Sequence, residues 1–460
     1  MSKTREDNQK SKVVLVLFHN DLRLHDNATL VEAVKQAEGG YLLPVYVEAL
    51  TDALNQKAWG QSYYFDDMGS SRQQFMNESL SDLNESLQGL GSRLLYLQKP
   101  QSPESAKERA TTFMQLCQLI EQQQVSNIYV SDTADYAQLA VYNRLRRHYP
   151  DIEWHNKSIN TLYPKMPTKE LPQSFTQFRK KVECHQDLLN AEMDLDIVTT
   201  PTRLPSLPEA LDNTSQYLFD YQPVATQHAN DSKDQLEYQG GESAALKHLE
   251  HYFGSEAPST YKTTRNALDE WTHSTKFSAW LANGTLSVKV LLNRLRQYER
   301  EVVANGSTYW IWFELLWREY FYWYAVEHQA DLFLFKGITE FNPSTRHDQR
   351  RLEQWKNGET AYPIVNACMK QLNHTGYMSN RGRQIVASCF IHELGLDWRY
   401  GATYFEQQLI DYDVASNWGN WQYLAGVGAD PRGCRQFNLK KQTQQHDPKG
   451  EFMDKWLSII

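Results

Sequence analysis

The chain has 460 residues, of which 41% are hydrophobic and 22% are charged, a composition typical of a globular protein with more than one domain. Its net charge of −9 at pH 7 argues against nucleic-acid binding through overall charge, so any such binding requires a local basic patch. Its five cysteines are scattered and form no CxxC pair, which argues against a zinc site or a disulfide framework.

The amino-terminal segment MSKTREDNQKSK is polar, and the chain contains no apolar run close to the roughly eighteen residues of a membrane helix. We therefore expect no signal peptide and no membrane span. A cytoplasmic location is the corresponding expectation.

Four short apolar runs rich in branched residues predict β-strands, at 13–18, 41–47, 93–97 and 127–130. Helical patterns lie between and after them, at 28–38, 62–88, 104–123 and 136–148. This alternation predicts a Rossmann-like, mostly parallel α/β sheet in a domain spanning 1–149. No GxGxxG follows the first strand, so the dinucleotide-binding fingerprint is absent.

Prolines among polar residues mark 150–238, which predicts a long interdomain connector. From Gly240 onward the patterns are helical almost to the end of the chain. The region 239–460 is therefore predicted to be an all-α domain, and the fold class is α/β followed by all-α.

A helix predicted at 309–326 is apolar on nearly every face, which indicates burial. Glu314, Trp317 and Arg318 share one face of it. The spacing allows either a functional site or an internal Glu–Arg pair that satisfies only itself. The neighbouring Glu319 is expected to be solvated or paired.

The segment 374–433 combines arginines, paired aspartates and indoles, a mixture that suits a large planar redox cofactor. Asp411 and Asp413 are predicted to close a helix. They suggest a magnesium site, but no third ligand stands at suitable spacing. Pairing of Asp411 with Arg383 is favoured, because a buried charge needs a partner.

The segment STKFS at 274–278 precedes a short helical stretch, AWLAN. Hydroxyls and free backbone N–H groups at a helix start can bind a diphosphate, although Ser and Thr are also ordinary helix caps. Tyr261 and Arg265, in YKTTRN, are unremarkable by themselves.

Taken together, these segments resemble the photolyase/cryptochrome flavoproteins. The resemblance is carried in order by FHNDLRLHDNATL, YKTTRN, STKFSAWLANGTLS, ELLWREYF, TAYPIVNACMKQL and the whole of 374–433. The sub-type is similar to the DASH cryptochromes, on TGYMSNRGRQIVAS, DYDVASNWGNWQYLAGVGADPR and NLKKQTQQHDPKGEFMDKWL.

The resemblance implies FAD in the helical domain and repair of cyclobutane pyrimidine dimers by electron transfer from the photoexcited reduced flavin. Asn417 would face flavin N5, a position where repair enzymes carry Asn. The residues that the resemblance assigns to the cofactor are Tyr261, Ser274, Thr275, Lys276, Phe277, Ser278, Arg318, Asn380, Arg383, Asp411, Asp413 and Asn417.

The resemblance also implies a substrate pocket in which Glu314 hydrogen-bonds the dimer and Trp317 stacks on it. Gln384 and Tyr423 complete the pocket, where repair enzymes for duplex DNA tend to have Met and Trp. This DASH pattern fits single-stranded DNA, in which flipping out a base costs less, with weaker action expected on duplex DNA or RNA. The candidates for a basic rim are Arg265, Arg381, Arg432, Arg435, Lys440 and Lys441.

Trp421 and Trp398 match the inner and middle tryptophans of the family's electron relay. The third is expected at Thr345, and no Trp stands between Trp323 and Trp355. Either a small gap shifts the alignment at this point, or the path ends differently, through a tyrosine or through Trp355 itself.

The family's usual antenna in DASH members is 5,10-methenyltetrahydrofolate, for which Asp132 and Asp135 are candidate ligands in this chain. A monomer is expected. The competing hypothesis is a blue-light photoreceptor that signals through the flavin redox state. Asn417 and the short segment after the core favour repair, while a helical nucleic-acid-binding protein without flavin would have to be colourless.

Overall fold

The computed structural model describes residues 12–50, 68–99, 112–184, 194–212, 214–215, 217–221, 238–429, 433 and 435–459. Its amino-terminal half contains one parallel sheet of five strands in the order β3-β2-β1-β4-β5. The strands are β1 (Val13–Phe18), β2 (Tyr41–Val47), β3 (Leu95–Leu97), β4 (Asn127–Ser131) and β5 (Glu153–Lys157).

Alternate residues of the central strand β1 enter two separate hydrophobic clusters. Val13, Leu15 and Leu17 belong to one cluster, and the residues between them belong to the other. Such burial on both faces explains why β1 is apolar throughout rather than alternating.

Within the described ranges, four helices accompany the sheet. They are α1 (Ala28–Gln36), α2 (Ser70–Gly89), α3 (Thr112–Gln122) and α4 (Tyr136–His148). The predicted strands and helices of this half are therefore confirmed, except that 62–67 and 104–111 lie outside the described residues.

Strand β5 was not predicted. It is a polar strand, EWHNK, with no hydrophobic run, and among the described strands it pairs with β4 alone, at the edge of the sheet. Because it lies within 150–238, the sheet continues past the domain boundary predicted at residue 149.

The predicted connector also contains helices α5 (Phe175–Cys184) and α6 (Glu209–Asp212). Phe175, Phe178 and Val182 of α5 are buried in the core of the helical half. This part of the connector is thus a packed element of that half.

The carboxy-terminal half is helical, as predicted. Its helices are α7 (Glu242–Phe253), α8 (Ala257–Thr264), α9 (Ser278–Ala282), α10 (Val288–Glu301), α11 (Gly306–His328), α12 (Gln349–Lys356), α13 (Pro363–Thr375), α14 (Asn380–Ser388), α15 (Trp398–Gln408), α16 (Val414–Ala425), α17 (Leu439–His446) and α18 (Glu451–Leu457). Short 3₁₀ segments occupy Trp271–His273 and Gln329–Phe333, and a π-helical turn occupies Cys389–Glu393.

Helix α11 is the long central helix of this half. It begins at Asn305, whose side chain accepts hydrogen bonds from the N–H groups of Ser307 and Thr308 in a capping box. The helix packs against α8 and α16, so the Glu314 face of α11 meets residues from both neighbours. In the part of the chain that is described, no helix has the length and apolar character needed to cross a bilayer.

Candidate functional site

The helical half contains a cavity of about 450 Å³, which adjoins a smaller pocket of about 100 Å³. We call the larger one the main cavity and the smaller one the deep pocket. Eleven of the residues predicted to bind the cofactor line the main cavity: Tyr261, Ser274, Thr275, Lys276, Phe277, Ser278, Arg318, Asn380, Arg383, Asp411 and Asp413. The twelfth, Asn417, lines the deep pocket.

The 274–278 loop is held in place from behind by a histidine. His248 Nε2 donates to the carbonyl of Thr275 at 2.9 Å, and burial lowers the pKa of His248 to about 4, so the ring is neutral at pH 7. Lys276 within the loop has φ +57°, an uncommon conformation for a residue with a side chain. Sequence reasoning missed His248.

Helix α9, which follows this loop, has only five residues. Its dipole is correspondingly small, so an anion here would depend on the side chains of the loop and of Arg318 rather than on a helix start. Arg318 is oriented by donating to the carbonyls of Asn160 at 2.7 Å and Leu281 at 3.3 Å. The helix-start argument from the sequence is weakened accordingly.

Arg383 and Asp411 form the ion pair that the sequence predicted. Arg383 Nη2 donates to the two Asp411 carboxylate oxygens at 3.0 and 2.8 Å, and Arg383 Nε donates to the Met378 carbonyl at 2.8 Å. Burial alone would lower the pKa of Arg383, but the charge and hydrogen bonds of Asp411, together with Tyr377 and Tyr238, outweigh it and the pKa is raised. Asp411 is therefore committed to an arginine rather than to a metal ion.

The prediction that Asp411 and Asp413 close a helix was wrong. Helix α15 ends at Gln408, and Asp413 instead caps the start of α16 by accepting from the Ser416 N–H at 2.7 Å. On the first turn of α16, Asn417 Nδ2 donates to the Ala402 carbonyl at 3.0 Å. That bond leaves Asn417 Oδ1 to offer an acceptor to the deep pocket.

Glu314, Trp317, Gln384 and Tyr423, the four predicted substrate residues, line the main cavity together. Glu314 forms an ion pair with Arg265, not with Arg318, and accepts from Trp310 Nε1 at 3.2 Å. Burial raises the pKa of Glu314, and Arg265 opposes that rise. The alternative of a self-contained Glu314–Arg318 pair is excluded.

Trp317 is braced by a residue that sequence reasoning missed. Phe175 of α5 stacks on it with ring centroids 3.8 Å apart and planes 14° apart, so one indole face is already covered. Tyr423 meets Trp317 edge-on, with centroids 6.1 Å apart. The only available signal was the apolar spacing of Phe175, Phe178 and Val182 within the proline-rich region.

The predicted basic rim is only partly assembled at the main cavity. Arg265 is engaged by Glu314, while Arg435 lies over the Tyr423 ring with Cζ 4.6 Å from its centre. Arg381 donates to Asn266 Oδ1 at 3.0 Å, outside the cavity lining. Lys440 and Lys441 are exposed on α17, away from the lining, and Arg432 lies outside the described residues.

Glu319 is not solvated, contrary to one of the two sequence expectations. It is 1% exposed and accepts from the Leu162 N–H at 3.0 Å and from Trp323 Nε1 at 2.8 Å. It therefore anchors the segment after β5 to α11 and does not line the main cavity.

Trp421 lines the deep pocket, and its Nε1 makes no hydrogen bond to the described protein atoms. Its ring lies against Gly401, one helical turn from Trp398 on α15. Trp398 is fully buried and donates to the Phe335 carbonyl at 3.0 Å. Trp355 contacts Trp421, with centroids 6.3 Å apart, but is itself fully buried, so a path ending there would not reach the surface.

A third cavity, of about 210 Å³, lies between the two halves. We call it the interdomain cavity. His19, Glu48 and Asp135 reach it from the carboxyl ends of parallel strands, the usual position of a ligand in such sheets, while Glu406 and Tyr412 reach it from the helical half. Asp132, the other proposed antenna ligand, is not among its lining residues and accepts instead from Asn156 Nδ2 at 3.0 Å.

Comparison with known proteins gives consistent relatives along the chain. Residues 310–460 match the family described as the FAD binding domain of DNA photolyase, and residues 14–200 match the family described as DNA photolyase. The chain is 46% identical over 446 residues to cryptochrome DASH of Idiomarina loihiensis, covering 96% of this chain and 92% of that protein.

It is also 46% identical over 457 residues to cryptochrome DASH of Vibrio parahaemolyticus, covering 97% and 94%. Among solved structures, the Synechocystis sp. PCC6803 cryptochrome gives a TM-score of 0.83 at 37% identity, over 97% of this chain and 88% of that one.

Proposed function

Since the chain belongs to the photolyase/cryptochrome family and is a photolyase-like flavoprotein with an FAD-binding domain, we propose that it uses blue light to split cyclobutane pyrimidine dimers, preferentially in single-stranded DNA. The enzyme class is then a carbon–carbon lyase. The relatives' names alone do not specify this reaction, so the proposal depends on the side chains around the main cavity.

The main cavity and the deep pocket fit FAD by their chemistry. The hydroxyls of the 274–278 loop, with Lys276 and Arg318, provide donors and positive charge for a diphosphate. Arg383, Asp411 and Asn417 provide polar groups for the edge of a planar ring. Trp421 lines the same pocket, and its buried Nε1 has no hydrogen-bond partner among the described residues. When bound, FAD supplies light absorption and a photoexcited electron donor.

The observation that carries the proposal is that Glu314, Trp317, Gln384 and Tyr423 share the main cavity with the cofactor residues. A base extruded into that cavity would meet the flavin and this polar, aromatic wall at once. Glu314 would hydrogen-bond the edge of the base, and the uncovered part of Trp317 would contact its plane. The bound base would exclude water from the cavity.

Two features support a preference for single strands. Gln384 and Tyr423 make this wall of the main cavity polar. A bulkier apolar wall would bind an extruded base more tightly and so compete better with base pairing in a duplex. In addition, Glu314 neutralises Arg265, which leaves fewer cations at the mouth for the phosphates of a duplex. Extruding a dimer from a single strand costs less free energy than from a duplex, so weaker binding by the cavity is sufficient.

The interdomain cavity supports an antenna chromophore as a further part of the proposal. It lies at the carboxyl ends of the strands and is bordered by Tyr46 and Tyr96, whose rings are parallel with centroids 6.0 Å apart. We propose 5,10-methenyltetrahydrofolate as the occupant, with Asp135 and Glu48 as candidate ligands. Fluorescence of the purified protein's extractable cofactors would identify it.

The deciding experiment illuminates the purified, reduced protein with oligonucleotides that contain one dimer, in single-stranded and duplex form. We expect repair of the single strand to be faster than repair of the duplex, and no repair in the dark. Absence of repair in both forms would overturn the lyase proposal and leave the photoreceptor reading. Equal rates on the two forms would overturn the strand preference alone.

A further inference from the structure

Trp418 is the aromatic neighbour of Trp398, the last relay tryptophan that the sequence could place. Their ring centroids lie 5.7 Å apart at 78°, and both rings are buried. Among the described rings, Trp418 is the one in ring contact with Trp398. Once Trp398 has been oxidised, Trp418 is therefore the adjacent aromatic residue that can supply an electron to it. Trp418 is not part of the expected tryptophan series.

Trp418 leads in turn to a tyrosine. Trp418 Nε1 donates to the hydroxyl of Tyr412 at 3.3 Å. Both side chains lower the pKa of the nearby Glu406 carboxylate, which lines the interdomain cavity together with Tyr412. The guanidinium of Arg72 lies over the Tyr412 ring, 4.7 Å from its centre, and donates to the Glu406 backbone carbonyl. The phenol therefore lies near a half-buried carboxylate that can accept its proton.

Tyr412 also has a distinctive location. It lines both the deep pocket and the interdomain cavity. Tyr412 therefore contacts a buried indole on one side and borders the space between the two halves on the other.

We propose that Tyr412 is the terminal electron donor of the relay, acting through Trp418, and that Glu406 is its proton acceptor. The inference rests on the proposed function for its oxidant, the photoexcited oxidised flavin. It replaces the third tryptophan that the sequence lacks at Thr345.

The electrons and protons balance along this path. With FAD bound, Trp421 would supply one electron to the photoexcited flavin, and Trp398, Trp418 and Tyr412 in turn would each supply one electron to the preceding residue. The Tyr412 O–H bond breaks as its electron leaves, and the proton bonds to a Glu406 carboxylate oxygen. The products on the protein are a neutral tyrosyl radical and a carboxylic acid. An external one-electron reductant restores both when the proton on Glu406 returns to the Tyr412 oxygen.

Proton transfer explains why the oxidation would end at Tyr412. An oxidised phenol is strongly acidic, so the radical is stabilised only if the proton has a nearby acceptor. Burial raises the pKa of Glu406 to about 7, which makes its carboxylate a better proton acceptor than an exposed one while leaving it largely ionised above neutral pH.

The test uses the FAD-containing protein with ring-deuterated tyrosine, illuminated with oxidised flavin and followed by electron paramagnetic resonance. We expect a radical whose hyperfine pattern narrows with the deuterated tyrosine and which is lost in Tyr412→Phe. Trp418→Phe should slow its appearance. Flavin absorbance and circular dichroism check that both variants fold.

The matched control is Tyr400→Phe, because Tyr400 lies two residues from Trp398 on α15 and is also buried. It should leave the signal unchanged. Loss of the radical in Tyr400→Phe, or its persistence in Tyr412→Phe, would overturn the assignment.

The role of Glu406 has a separate readout in light-minus-dark infrared difference spectra. Wild-type protein should show a new carboxylic-acid C=O band that is absent in Glu406→Gln, and a band that persists in that variant would remove Glu406 from the proposal. If illumination produces tryptophan radicals but no tyrosyl radical, Tyr412 is excluded while the flavin site stands. If no radical forms, the relay itself fails, and Tyr412 with it.

Discussion

Three glutamates, Glu314, Glu319 and Glu406, lie in or beside the site, and each has a different kind of partner. Glu314 pairs with a cation, Arg265, whereas Glu319 accepts from backbone N–H groups and an indole. Glu406 has a phenol and an indole near its carboxylate, both of which lower its pKa, while Arg72 donates to its backbone carbonyl. Burial raises the pKa of all three carboxylates. The neighbouring groups oppose that rise, and in Glu314, which lines the main cavity, the opposing group is the cation Arg265.

Glu406 should make the stability of the protein depend on pH. Its pKa rises from an ordinary 4.5 to about 7 in the folded state because of burial, an effect that Arg72 opposes and Asp135 increases. Between these values the folded protein holds a proton that the unfolded chain has released, so the free energy of unfolding falls as pH rises through this window. The decline is on the order of 3 kcal/mol and levels off above the folded pKa.

Glu406→Gln is neutral at every pH and should lack this decline. Its urea midpoint relative to wild type should therefore be higher at pH 8 than at pH 5. Glu340→Gln, which alters a 95% exposed carboxylate, should show no such pH-dependent gain. Parallel pH profiles for wild type and Glu406→Gln would contradict the prediction.

Glu314 should affect substrate discrimination rather than flavin binding. Glu314→Gln removes the charge that holds Arg265, so repair of a dimer should fall roughly 10–100-fold in kcat/KM, as expected for one lost charged hydrogen bond. Arg265 would become available to phosphates, so undamaged single strands should bind more tightly at low salt.

The measurements are flavin absorbance per chain, repair rate and binding as a function of salt. Glu270→Gln is the control, because Glu270 is an exposed carboxylate that also lines the main cavity. It should keep wild-type repair. A colourless Glu314→Gln protein would instead indicate a structural role for this residue.

At the scale of elements, the sequence predicted what local patterns encode. Strands β1 to β4 are visible as apolar runs because helices cover both faces of the sheet. Strand β5 is a polar edge strand, and α5 begins after several prolines, so neither has a strong local signal. The end of α15 was misplaced because Leu409 and Ile410 continue its apolar pattern after the helix has stopped.

In the candidate site, too, local sequence motifs could be recognised while contacts between distant residues could not. The cofactor residues could be placed from motifs that are contiguous in sequence. His248, Phe175 and the Tyr412–Glu406 pair act through contacts whose partners are distant in sequence or whose geometry depends on burial. Neither periodicity nor spacing reports such contacts.

Helix α5 should contribute to substrate binding through Phe175. Phe175→Leu keeps an apolar side chain of similar bulk but removes the ring stacked on Trp317 at 3.8 Å. Loss of one such aromatic pair, worth about 0.5–1.5 kcal/mol, should weaken binding of a dimer-containing single strand severalfold by loosening Trp317. Flavin content should not change, because Phe175 does not line the main cavity.

Phe178→Leu is the matched control for α5. Phe178 is also buried but packs on Tyr320, with centroids 5.4 Å apart, so it should share the loss of stability without the loss of affinity. Equal affinities for Phe175→Leu and Phe178→Leu, measured by fluorescence anisotropy, would show that the stacking of Phe175 on Trp317 does not contribute to substrate binding.

At the scale of the whole molecule, the two halves are joined by buried polar contacts as well as by the interdomain cavity. His25 Nδ1 donates to Glu242 at 2.8 Å, and His25 Nε2 accepts from the Ser287 N–H at 3.1 Å, which sets a neutral ring. Gly284 has φ +72° and comes so close to the Asn20 carbonyl that a Cβ would lie 2.0 Å from it. The loop after β1 is thereby fitted against the start of α10.

Arg23 lies at the centre of this junction and is fully buried. Its guanidinium donates to Asn160 Oδ1 at 2.8 Å and to the carbonyls of Gly284 at 2.7 Å and Ile159 at 2.8 Å. Two further bonds reach the carbonyls of His25 and Asp26 in its own loop. One side chain therefore links the loop after β1, the segment after β5 and the helical half, a set of acceptors that matches the planar fork of an arginine.

Arg23→Lys should destabilise the junction although it keeps the charge. A lysine has three donors on one nitrogen and cannot reach acceptors spread around a planar fork, so at least two buried carbonyls would lose their partner, at about 1–3 kcal/mol each. We expect a lower urea midpoint by circular dichroism and earlier release of FAD by flavin fluorescence. Arg300→Lys, in an exposed pair with Asp194, should change the free energy of unfolding by less than about 1 kcal/mol. Midpoints that fall equally in the two variants would mean that the halves are held by apolar packing, with the Arg23 bonds no stronger than surface pairs.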